Sequence, residues 1–137
     1  MRMSLSWLVG PIVIVMAGCA STGPTLSSSA ERLEESSFAM ERYAGQSSVR
    51  QDARELSEEA REFRRLLLSK RADRRDVSEG FEDVSRSYHS LRDEVERSRD
   101  RETERYFEPV TNAYLDMERE IASVVDSRSD RYADRSY

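Results

Sequence analysis

From Val49 to Leu67 the apolar residues fall at Val49, Ala53, Leu56, Ala60, Phe63 and Leu67, alternating steps of four and three without a break. A helix places such positions on one side because about 3.6 residues make a turn, whereas a strand needs alternation by two. The intervening positions are almost all Arg, Glu, Asp and Ser. One stripe therefore seeks a partner and the rest seeks water, which is the pattern of a bundle helix. A helix of this kind cannot bury its stripe alone, so the chain must supply others.

It supplies three. Ala30, Leu33, Ser37, Met40 and Ala44 form an earlier stripe, with Phe38 beside it. Val77, Phe81, Val84, Tyr88, Leu91, Val95 and Ser98 form a third, and Phe107, Val110, Ala113 with Tyr114, Met117, Ile121 and Val124 a fourth. Ser28 to Glu31, Ser48 to Gln51 and Asp76 to Glu79 have the spacing of capping boxes, in which two side chains satisfy orphan amides reciprocally. Gly45 is a plausible C-cap for the first helix. The third and fourth helices are expected to break near residues 99–103. Pro109 either starts the fourth helix at its first turn or kinks a longer helix. The expected fold is all-α, an antiparallel up-down four-helix bundle over residues 28–125. The rival is a three-helix bundle in which the first two helices fuse across Gly45, since a glycine costs a helix only ~1 kcal/mol.

Ahead of the bundle, Arg2 precedes an apolar run from Leu5 to Met16, interrupted by Gly10-Pro11. At about a dozen residues the run is short for a membrane span, which needs ~20, and suits a secretory segment. It closes on Val15-Met16-Ala17-Gly18-Cys19, which holds the only cysteine of the chain. This order of elements resembles the signal peptide of bacterial lipoproteins, with Met16 where that family prefers leucine. The resemblance implies a signal peptide over residues 1–18, cleavage before Cys19, and a lipid thioether with an acylated amino group on Cys19. Several acyl chains together hold a protein stably at ~0.8 kcal/mol per buried CH₂. Ala20 after the cysteine resembles an outer-membrane address, facing the periplasm, if the host is Gram-negative. Residues 19–27 then read as the lipidated cysteine and a small, polar tether, broken by Gly23-Pro24. Residues 126–137 carry no core period and read as a disordered polar tail.

Removing residues 1–18 takes away Arg2 and no acid, so the formal charge moves from −5 to −6. That acidity, with an extracytoplasmic address, argues against nucleic acid as a partner. A lipidated Cys19 leaves no thiol for a disulfide.

Candidate chemistry is sparse. His89, the only histidine, has Asp93 and Glu96 one and two turns on, but it sits at the edge of its stripe and reads as a solvated polar residue. Met40 and Met117 occupy stripe positions, where methionine fills gaps, and no haem-attachment motif accompanies them. The acidic pairs Glu34-Glu35, Glu58-Glu59 and Asp93-Glu94 lie among arginines at ion-pair spacings. No enzyme, metal site or cofactor is expected. Two surface features remain. Leu66-Leu67-Leu68 is more than one face can bury, and Lys70, Arg71, Arg74 and Arg75 follow it against only Asp73 and Asp76. Either these cations complement a helix C-terminus and the spare leucine packs under the loop, or they meet an anionic surface.

The sequence thus leads to a membrane-anchored, non-enzymatic envelope lipoprotein. It holds the membrane through Cys19 and offers a helical module to a protein partner or a structural assembly. The alternative is a periplasmic bundle that binds or senses a metal, haem or small ligand.

Overall fold

A computed structural model describes residues 25–126, with side chains to residue 123. The expected signal peptide (1–18), Cys19, residues 20–24 and the tail from residue 127 lie outside the described residues. Four helices follow one another: α1 (Leu26–Tyr43), α2 (Ser47–Leu68), α3 (Arg74–Ser98) and α4 (Arg101–Asp126). Each touches two neighbours, in the cyclic order α1, α2, α3, α4, and the diagonal pairs do not meet.

Side-chain pairs fix the directions. Glu31, Glu34 and Glu41 of α1 face Arg64, Arg61 and Arg54 of α2, so each step along α1 is an equal step back along α2. Ser29 meets Glu120 and Arg32 meets Asp116, which sets α4 antiparallel to α1. Asp52 with Ser90 and Phe63 with Phe81 do the same for α2 and α3. The fold is the antiparallel up-down four-helix bundle. The fused three-helix alternative is excluded by the break at Ala44–Gln46, where Ala44 and Gln46 are both extended.

The stripes face inward. Ala30, Leu33, Ser37, Met40 and Ala44 are buried, as are Val49, Ala53, Leu56, Ala60 and Phe63. From the other helices come Val84, Tyr88, Leu91, Val95, Val110, Ala113, Tyr114 and Met117. Each large apolar side chain among them contributes about 1.5–3 kcal/mol by leaving water. Phe81, Phe107 and Ile121 pack against this core while remaining partly exposed.

Helix spacing follows side-chain size. Between α1 and α2 the buried residues include Ala30, Ser37, Ala44, Ala53, Ser57 and Ala60, and these two helices pack most closely. Between α3 and α4 stands a column of rings. Phe81 stacks on Tyr114, Tyr114 on Tyr88, and Tyr88 on Phe107, with centroids 6.0, 3.9 and 5.7 Å apart. Rings of this size hold the two backbones apart, and α3 and α4 are the least closely packed neighbours.

The helix ends differ from the expected capping boxes. Thr25 caps α1, accepting from the Ser28 amide at 3.3 Å. Ser29, in the first turn of α1, donates its hydroxyl to Glu120 Oε1 at 3.0 Å. Gln46 opens α2 without a side-chain cap. At α3 the box is Asp73 with Asp76: the Asp76 amide donates to Asp73 Oδ1 (2.9 Å) and the Asp73 amide to Asp76 Oδ2 (3.1 Å). Two aspartates three apart close the loop reciprocally, and Asp76 serves as the inner partner instead of the cap. Gly45 is not in the left-handed conformation. The C-cap is Ala44, whose amide bonds the Met40 carbonyl at 2.9 Å. The break between α3 and α4 falls at Arg99, at φ 50°, and Asp100 caps α4 through the Thr103 hydroxyl (2.7 Å) and the amides of Glu102 and Thr103. Pro109 lies inside α4 on its exposed side.

Candidate functional site

The antiparallel register brings Thr25, where α1 opens, to the end of the bundle that carries the α2–α3 connection. Cys19 precedes Thr25 by six residues, a span of no more than about 22 Å when fully extended. The basic loop and the start of the described chain therefore share one end. The connections at Ala44–Gln46 and Arg99–Asp100 share the other.

α2 ends at Leu68, where the Ser69 amide turns back to the Leu66 carbonyl at 3.0 Å. Of the three consecutive leucines, Leu66 and Leu67 pack against the core. Leu66 can do so because Gly80 of α3 has no Cβ: one built there would lie 3.0 Å from Leu66 Cδ2 and 2.9 Å from Phe63 Cδ2. Leu68 is left outside, 67% exposed. It does not tuck under the loop.

Lys70, Arg71, Arg74 and Arg75 follow, all exposed. Arg75 is tied to Glu79 one turn on, Nε to Oε1 at 2.7 Å. Among the described residues Lys70, Arg71 and Arg74 make no ion pair. The two acids nearest in sequence, Asp73 and Asp76, are turned onto each other's backbone amides. Helix dipoles do not account for the cations either. Only Arg65 lies in the last turn of α2, whereas Arg74 and Arg75 open α3, at the positive end of its dipole where a cation is unfavourable. The segment 69–76 thus keeps an excess of positive charge, four cations against Asp73 and Asp76, with Arg75 alone tied to an acid of α3.

Elsewhere many charged side chains pair with one another, although Glu34 Oε2, Arg64 Nε and Arg92 Nε are buried without a hydrogen-bond partner. Glu34 accepts from Arg61 at 2.9 Å and pairs with Arg64 at 2.9 Å. Asp116 pairs with Arg32 at 2.7 Å and also with Arg119. At the opposite end a shallow recess between α1 and α2 is lined by Glu41, Arg42, Arg50, Arg54, Glu55 and Glu58, charges of both signs. Along α2 and α3, burial followed by the nearby Asp83 and Glu62 pushes the Glu59 carboxyl above its ordinary range. Burial likewise raises Asp52, against a hydrogen bond from Ser90.

His89 lies exposed on α3, its ring edge-on to Tyr88 at 5.4 Å and to Tyr114 at 6.0 Å. Met40 and Met117 are fully buried. The Arg32–Asp116 pair sets Met117 level with the first turns of α1, so Met40 stands about 12–14 Å further along the axis at 1.5 Å per residue. The fold does not bring these three side chains together. Among the described residues, no group of three or more His, Cys, Asp and Glu is placed to hold a metal. No described helix is long and apolar enough to cross a membrane.

No family model matches the chain, and neither a curated protein nor a solved structure matches it.

Proposed function

We propose that the protein is a non-enzymatic envelope lipoprotein, anchored through a lipid on Cys19 and presenting its helical bundle as a protein-interaction or structural module. The observation that carries this reading is the spacing of Cys19 and Thr25. A cysteine behind Met16-Ala17-Gly18 stands six residues ahead of a rigid bundle, so a lipid there would hold the bundle by its α1 end, close to the bilayer. Ala20 is compatible with an outer-membrane address in a Gram-negative host, the bundle facing the periplasm. The outer faces support a docking or structural role over catalysis. Several of the acids on these faces are engaged with arginines, as in Glu34 with Arg61 and Arg64 or Glu94 with Arg97. The stripe positions are given to packing.

The test is Cys19→Ala in cells, followed by detergent-phase partitioning and incorporation of radiolabelled palmitate. The variant is expected to lose the label and to leave the detergent phase. Partitioning equal to wild type would reject the anchor. Crosslinking in cells with identification of the captured partner tests the interaction role, and a bundle that crosslinks to nothing beyond bilayer lipid would leave the structural reading alone.

A further inference from the structure

We infer that the α2–α3 end of the bundle is a second membrane contact, in which Leu68, Lys70, Arg71 and Arg74 dock on an anionic phospholipid bilayer. This rests on the lipid anchor proposed above and adds to it an orientation. An anchor alone restrains one point of the bundle and lets the rest swing about its tether. A basic and apolar surface beside the tether would stand the bundle upright, with the Ala44–Gln46 and Arg99–Asp100 connections directed away from the lipid.

Three independent observations converge on this end. The chain between Cys19 and Thr25 spans no more than about 22 Å, and the register puts Thr25 beside the α2–α3 connection. Lys70, Arg71 and Arg74 are exposed and make no ion pair among the described residues. Asp73 and Asp76 keep their charge while capping α3, so residues 69–76 carry four cations against two acids. Leu68, 67% exposed, precedes Lys70 by two residues at the end of α2. A large exposed apolar side chain in the same short stretch as these cations matches the bilayer interface, where it enters the acyl boundary while the charges stay with headgroup phosphates. An acidic protein surface would match the cations as well, but the short reach from Cys19 favours the bilayer as the occupant.

The test uses the lipidated protein, in which Cys19 carries the lipid and an Ala72→Cys or Ser47→Cys substitution supplies the one thiol for a fluorophore. The 22 residues of α2 separate the two positions by about 33 Å at 1.5 Å per residue. Each labelled protein is reconstituted on vesicles of phosphatidylcholine alone or with phosphatidylglycerol, with a nitroxide quencher on the headgroups. The label at Ala72 is expected to be quenched more strongly on the anionic vesicles, and the label at Ser47 equally weakly on both. Combining K70Q, R71Q and R74Q should weaken the contact by up to roughly a hundredfold, each cation near an anionic surface being worth up to about a factor of five. High salt should act in the same direction, since the screening length falls to about 3 Å at 1 M. Leu68→Ser should lower quenching while keeping its dependence on phosphatidylglycerol. Quenching at Ala72 that ignores lipid charge, salt and the triple substitution would overturn the inference while leaving the anchor intact. Failure of the wild-type protein to float with either vesicle would remove the anchor itself, and the inference with it.

Discussion

Tyr88 of α3 and Tyr114 of α4 lie face to face, with ring centroids 3.9 Å apart and planes 7° from parallel. Each hydroxyl reaches back to the opposite helix: Tyr88 to Thr111 at 3.3 Å and Tyr114 to Ser85 at 2.9 Å. The pair does two jobs. Its faces fill the widest seam of the bundle, and its hydroxyls fix the register of two helices that otherwise touch little.

Removing only the hydroxyl separates these jobs. Tyr114→Phe keeps the ring and loses the bond to Ser85, for an expected cost of about 0.5–1.5 kcal/mol. Tyr114→Ala empties the seam and should cost about 3–5 kcal/mol, a large part of the ~5–15 kcal/mol that holds a small domain together. Urea unfolding midpoints check both. An alanine variant as stable as wild type would mean that the ring column does not hold α3 and α4 together.

The two glycines of the described chain should respond in opposite directions. Gly80→Ala gains about 1 kcal/mol of helix propensity, but its Cβ would meet Phe63 at 2.9 Å and Leu66 at 3.0 Å. The Phe63 ring is buried against Phe81 and has little room to move. Overpacking of this kind costs about 1–3 kcal/mol, so the net change is expected to be a destabilisation of up to about 2 kcal/mol. At Gly45 an added Cβ meets nothing within 4 Å and φ is not positive. Gly45→Ala should therefore be stabilising by about 0.4–1 kcal/mol through the unfolded chain. Thermal or urea midpoints that reverse this order would show that Gly80 does not set the α2–α3 approach.

A third substitution tests the α3–α4 turn. Arg99 is the only non-glycine residue with positive φ among those described, a conformation that costs an L-residue about 1–2 kcal/mol. Arg99→Gly is expected to raise stability by up to about 1 kcal/mol in chemical denaturation, because glycine enters this region freely. A variant less stable than wild type would mean that the Arg99 side chain contributes more than its backbone strain removes.

Much of this architecture is legible in the sequence, and the reason is physical. A four-three period reports directly which face of a helix leaves water, so Leu33, Met40, Leu56, Phe63, Leu91 and Met117 could be assigned to the core before any coordinates. Register between helices leaves no such period. That Tyr88 would meet Tyr114 and Phe107 depends on how far α4 slides along α3, which packing decides. Helix starts are less legible, for a different reason. The chain is rich in Ser, Thr and Asp, so several residues compete for each cap, and Thr25 and Asp73 outbid Ser28 and Asp76 by one turn. The basic run was visible, and the spacing of Arg75 and Glu79 could have flagged their ion pair. The freedom of Lys70, Arg71 and Arg74 was not visible, because it depends on Asp73 and Asp76 turning onto backbone amides. Which leucine stays outside depends on Gly80, a residue on another helix.

The pH dependence of stability contains contributions of opposite sign, Glu59 and Asp52 on one side and Asp100 on the other. Glu59 titrates above its ordinary value of 4.5, first through burial and then through Asp83 and Glu62. A carboxyl raised by folding contributes stability that is fully present below that ordinary value and is lost as pH rises through the folded value. Glu59→Gln cannot ionise, so it should melt above wild type at neutral pH and converge with it in acid. Asp100 is lowered from 3.8 by the Thr103 hydroxyl and the Glu102 amide. Its contribution is present above 3.8 and fades as pH falls through the lowered folded value. Asp100→Ala should accordingly be less stable at neutral pH, with the gap narrowing in acid. Thermal midpoints from pH 3 to pH 7 check both, and parallel curves for Glu59→Gln and wild type would reject the burial of that carboxyl.

Asp73 links the fold to the proposed membrane contact. Its carboxylate caps α3 by accepting from the Asp76 amide at 2.9 Å, and it is one of the two acids among the cations of this loop. Asp73→Ala removes cap and charge together. The cap is worth about 0.5–2 kcal/mol, so this variant should unfold at lower urea whatever its effect on lipid. Asp73→Ser removes the charge while its hydroxyl still accepts from the amide, and should hold stability to within a few tenths of a kcal/mol. On anionic vesicles Asp73→Ser should bind its label site more closely than wild type, by up to about fivefold for one charge near the surface. The gain should vanish on phosphatidylcholine. A stable Asp73→Ser protein with no change in contact would mean that the charge of this loop faces something other than lipid.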